Sequence, residues 1–69
     1  MTARIVHALL RNCRAYTDGG RSYHNFHARA FRLWRMAEAC GCETAVRNLV
    51  TPPLVAAYPR WARETGLAK

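Results

Sequence analysis

The sequence predicts an all-α protein, a compact bundle of three to five short helices forming one small domain over residues 1–69. Apolar residues recur at spacings of three and four in the two longest stretches, which is the period of a single buried helix face. No alternating run of polar and β-branched residues survives for five positions, so no strand is expected. The connections are short, which favours antiparallel neighbours.

The first helix is expected over residues 2–16, with Thr2 as its cap and Ile5, Val6, Leu9, Leu10 and Cys13 on its buried face. Arg4, His7, Arg11 and Arg14 also recur at three and four, so they stack into a basic stripe on the opposite side. Thr17, Asp18, Gly19 and Gly20 end the helix. Ser22 is placed to cap a second helix running to Cys40, with Phe26, Ala30, Leu33 and Ala37 inward and Arg29, Arg32 and Arg35 on its polar arc. Tyr23, Phe31 and Trp34 widen its apolar face, as in a helix packed on two sides or lying at a dimer seam.

Gly41 suits the left-handed position after a helix end. A short third helix is expected from Glu43 or Thr44 to Val50, burying Val46, Leu49 and Val50 and exposing Arg47 and Asn48. Thr51-Pro52-Pro53 reads as a stop and a restart, because proline is welcome in the first turn of a helix. Thr51 would then cap a fourth helix through Leu54, Val55 and Ala56. Tyr58, preceding Pro59, is expected to mark a break, with a last turn and a half to Thr65, Gly66 closing it and residues 67–69 frayed.

A chain of 69 residues that is 51% hydrophobic folds, but thinly. A domain of this size buries only about 60% of its unfolded surface and retains a margin of about 3–5 kcal/mol without a staple. A dimer, a docked partner or a metal would make up the deficit. The early apolar run at residues 8–10 is cut by Arg11, so neither an export signal nor a membrane span is expected, and the chain reads as cytoplasmic with no membrane partner. Cys13, Cys40 and Cys42 are an odd number and read as reduced thiols, with Cys13 in the core.

Eleven Lys and Arg against four Asp and Glu give a net charge of +7, and ten of the eleven are arginine. The guanidinium fork matches phosphates and carboxylates, so the natural partner is anionic. Arg4, Arg11 and Arg14 on one helix, Arg29, Arg32 and Arg35 on the next, and Arg47 are the candidate contacts to nucleic acid or to an acidic protein surface. Tyr23, Phe31, Trp34, Tyr58 and Trp61 are more large rings than so small a core readily takes up, and they are the candidate protein interface. Two readings follow. One is a regulatory module engaging nucleic acid; the alternative is a protein-binding regulator or inhibitor of phage or mobile-element type that blocks a host complex as a homodimer.

Catalysis is not expected. The acids Asp18, Glu38, Glu43 and Glu64 fall at no spacing that joins a histidine and a nucleophile, and no phosphate-cradling glycine loop is present. Residues 21–27, RSYHNFH, resemble the first-helix motif of the HD-superfamily phosphohydrolases, in which Arg and Tyr-His-Asn precede a metal-binding second histidine. In that family the second histidine follows the first by four residues. Here His27 follows His24 by three, Ala28 holds the ligand position and no His-Asp pair follows, so the activity is not carried over. His24, His27, Cys40 and Cys42 have the chemistry of zinc ligands, but a continuous helix separates the two pairs by about 20 Å. No metal or cofactor is therefore assigned, although an antiparallel dimer would bring unlike helix ends together. Residues 36–50 also resemble a helix-turn-helix, with Ala37 four before Gly41, but the apolar residue expected six after the glycine falls one early, at Val46.

Overall fold

The computed structural model describes residues 1–64 and 67. Among them the chain forms four helices and no strand: α1 (Thr2–Thr17), α2 (Tyr23–Ala39), α3 (Glu43–Ala57) and α4 (Pro59–Glu64). Helix α1 packs against both α2 and α3, α2 touches α3, and α4 folds back on α3. No helix among the described residues is long and apolar enough to cross a membrane.

Both long connections are set by the same local device. Gly19 follows α1 at φ 80° and Gly41 follows α2 at φ 69°, a left-handed conformation that a Cβ would disfavour. At the end of α1, Gly19 N–H donates to the Tyr16 carbonyl at 3.1 Å and Gly20 N–H to the Ala15 carbonyl at 2.9 Å. At the end of α2, Gly41 donates to Glu38 and Cys42 to Ala37, each at 3.0 Å. These paired bonds are the Schellman arrangement, which satisfies carbonyls that the helix leaves open. Ser22 caps α2 as expected, its extended backbone placing Oγ to accept from Asn25 N–H at 3.2 Å. Thr2 does not cap α1: it is already helical, Met1 holds the cap position, and no side chain bonds there.

The core is one cluster. Ile5, Leu9 and Cys13 of α1 meet Phe26, Leu33 and Ala37 of α2 and Val46, Val50 and Leu54 of α3, all buried. Val6, Leu10 and Trp34 pack around it half-buried, and Ala30 is also half-buried. Burial pushes the Cys13 thiol up from 9.0 to about 11, because the interior disfavours the thiolate.

Two expectations about the third helix need correction. The chain does not stop at Thr51, because α3 runs unbroken through Pro52 and Pro53 to Ala57. Val46, Val50 and Leu54 lie at successive four-residue steps on one buried face, and a restart at Thr51 would carry Leu54 out of phase with the other two. The two prolines are exposed, and so are Asn48 and Leu49, whose carbonyls lose their helical donors. Water can serve those carbonyls on the convex side of the helix. Leu49 is not buried but 56% exposed, because α3 turns only a narrow strip inward.

The break at Tyr58 is as expected, with φ −135° and ψ 61°, and Pro59 starts α4. The placement of Thr65, Gly66 and residues 68–69 lies outside the described residues. Leu67 is not frayed: it sits half-buried against the core and its N–H donates to the Ala62 carbonyl at 2.9 Å.

Candidate nucleic-acid interface

The side of α1 that faces α2 carries small residues, Ala8 and Ala15, on either side of Asn12. A groove opens there between the two helices. It has a volume of about 300 Å³ and is lined by Ala8, Arg11, Asn12, Ala15, Arg21 and Arg29. Three arginines therefore come together from three segments: Arg11 from α1, Arg21 from the α1–α2 turn and Arg29 from α2. Among the described residues, no carboxylate lines the groove.

Asn12 is the buried polar residue beneath it, 1% exposed in an otherwise apolar face. Its Nδ2 donates to the Phe26 carbonyl at 3.0 Å and its Oδ1 accepts from Arg21 Nη1. The reverse amide orientation would set oxygen against oxygen and NH2 against guanidinium, so the network fixes the amide. One side chain thus ties α1 to α2 and restrains Arg21 at the edge of the groove. Arg21 spends one of its five N–H groups on that bond, leaving the others for a ligand.

Around the groove, Arg4 and Arg14 stand exposed on the same outward stripe of α1 as Arg11. On α2, Arg32 is exposed three residues beyond Arg29. None of Arg4, Arg11, Arg14, Arg29 and Arg32 has a carboxylate partner among the described residues, where the ion pairs are Arg47–Glu43 at 3.7 Å and Arg60–Glu64 at 3.4 Å. Both pairs are exposed i,i+4 contacts of small energetic weight.

The remaining candidates stand apart from this face. Arg35 lies over the Phe31 ring at 5.7 Å, and Arg47 lies over Trp34 at 5.4 Å while pairing with Glu43. The one arginine that α3 would offer in a helix-turn-helix reading is thus engaged within the chain. The rings divide in the same way. Phe31 is 64% exposed and Tyr23 56%, whereas Trp34, Tyr58 and Trp61 are half-buried and pack on the core. Trp61 meets Phe26 edge-on at 5.3 Å and Tyr16 stacks on Phe26 at 4.6 Å, so α4 and the end of α1 close over one buried ring.

His24 and His27 are exposed near the start of α2, Cys40 is exposed just past its end and Cys42 is half-buried. The helix between them is unbroken. Among the described residues, no group of three His, Cys, Asp or Glu side chains converges as a metal site would require.

Sequence reasoning named Arg11 and Arg29 but missed Arg21 and Asn12. Asn12 did carry a signal, since it lies three residues after Leu9 on the apolar face, where a polar side chain must find a partner. Searches against protein-family models, curated proteins and solved structures found no match to this chain.

Proposed function

We propose that this chain is a basic regulatory module that binds nucleic acid through its phosphates, using the face shared by α1 and α2. One observation carries the reading: Arg11, Arg21 and Arg29 surround a groove that no carboxylate lines among the described residues, and Arg4, Arg14 and Arg32 extend the same charge along the two helices. Phosphates placed there would meet guanidinium groups that have no competing acid. The role is binding, and no catalytic step is assigned to it.

The test is binding of labelled duplex and single strand over a salt series. If about five arginines each neutralise a phosphate, affinity for the duplex should fall several hundredfold between 50 and 200 mM salt, with a log–log slope near −4 to −5, and affinity for the single strand about a hundredfold, with a slope near −3.5. Replacing Arg29 and Arg32 together by Glu should abolish most of that binding and leave the helical circular dichroism unchanged. Absence of binding at 50 mM salt, or binding indifferent to salt, would overturn the proposal.

A second reading rests on the other flank of α2, where Phe31 and Tyr23 stand exposed. Aromatic rings beside arginines are the residue types that anchor protein interfaces. This supports a protein-binding regulator or inhibitor, and its homodimeric form is tested by the solution mass of the wild type against Phe31→Ala. A partner held by these rings would bind with little dependence on salt.

A further inference from the structure

We infer that the groove over Asn12 is a discrete site for a terminal phosphate monoester, so that the module recognises the phosphorylated end of a nucleic-acid strand. The inference rests on the phosphate-binding reading above and deepens it.

The two long walls of the groove are α1, with Ala8, Arg11 and Ala15, and α2, with Arg29, while Asn12 lies at its floor. The α1–α2 turn supplies Arg21, which Asn12 holds in place. Charge distinguishes a terminal phosphate from one within a strand. A diester phosphate has one negative charge on two free oxygens, whereas a monoester has three terminal oxygens and a charge of about −1.5 to −2 near neutral pH. Three guanidinium groups without a carboxylate among them match the monoester, one fork to each terminal oxygen.

The tether on Arg21 favours binding in a second way. An arginine ordered before the ligand arrives loses less freedom on binding than one that must be gathered from solvent. Arg11 and Arg29 are exposed and have no intramolecular partner among the described residues, so they can close on a phosphate without breaking an existing bond.

The experiment compares one single-stranded oligonucleotide with and without a 5′-phosphate, and with and without a 3′-phosphate. Inorganic phosphate and a nucleoside 5′-monophosphate serve as separate arms, all followed by NMR shifts of the protein and by competition. A phosphorylated end should bind about tenfold or more tightly than the same strand without it. Arg29→Gln should weaken both strands and erase the difference between them. Arg21→Gln should do the same, and Arg29→Gln covers the case in which loss of the Asn12 tether loosens the fold. Equal affinity for the two strands, with salt-dependent binding intact, would overturn this inference and leave the general reading standing. If inorganic phosphate or the monophosphate shifts Arg11, Arg21 and Arg29 while no strand binds, the nucleic-acid reading fails, and with it the assignment to strand ends.

Discussion

The continuity of α3 through two prolines is the feature most directly open to refutation, because a broken and an unbroken helix predict opposite signs for the same substitutions. In the unbroken helix Pro52 lies well beyond the first turn, where proline is about 3 kcal/mol worse than alanine. Pro53 remains beside it and shares the local distortion, so Pro52→Ala should stabilise the protein by about 1–3 kcal/mol. A kcal/mol corresponds to about 4–8 °C in Tm for a domain this small, so the midpoint should rise by at least about 4 °C. Thr51→Ala should be neutral or gain a few tenths of a kcal/mol, since alanine is the better helix former and Thr51 is only partly buried. If Thr51 instead capped a new helix, losing its hydroxyl would cost about 1 kcal/mol. Pro52 would then occupy a favourable first position, and its replacement would give no gain or a loss of about 0.4–1 kcal/mol through the freer unfolded chain. Thermal melts read by circular dichroism distinguish the two cases. A lower Tm in both variants would refute the continuous helix.

Ala37 and Val46 are both fully buried where α2 and α3 meet, so Ala37→Leu should overpack that contact and cost about 1–3 kcal/mol in urea unfolding. Asn12→Ala removes the partner of the Phe26 carbonyl and the tether of Arg21, and a loss of about 1–3 kcal/mol is expected in the same assay. With its pKa raised from 9.0 to about 11, the buried Cys13 thiol keeps its proton over a range in which the unfolded chain releases it. Its contribution to stability is therefore full below pH 9 and declines as pH rises toward 11. Cys13→Ala should flatten that slope, and a thiol reagent at pH 8 should label exposed Cys40 well before Cys13.

The helix ends were legible because they depend on local chemistry. Ser22, Gly19, Gly41 and the Tyr58–Pro59 pair each act within a few residues, and each marks a boundary where expected. Local reasoning failed at Pro52 and Pro53. The rule that starts a helix at proline knows nothing of Val46, Val50 and Leu54, whose joint burial needs one unbroken phase. Leu49 failed for a related cause: hydrophobicity marks a residue fit for burial, but the width of the buried strip depends on the neighbouring helices. At the groove, helix period identified Arg11 and Arg29 as outward residues, yet which outward residues meet is decided by the roll of α1 against α2. Arg21 lies in a turn, where no period applies, and its pairing with Asn12 across nine positions emerges only when the turn closes.

The Asn12 amide joins two equilibria that a larger protein would keep separate. It bridges the helices at the Phe26 carbonyl and orders Arg21 at the groove, so a ligand held by Arg21 favours the same arrangement as the folded core. Any ligand that binds only the folded chain adds its own stabilisation by mass action, about 2.7 kcal/mol at a hundredfold excess over Kd. Against an unassisted margin of about 3–5 kcal/mol for a domain this small, that is most of a doubling. Occupancy and order would rise together, and the rate of proteolysis, which follows the rare unfolded population, would fall as a ligand is added.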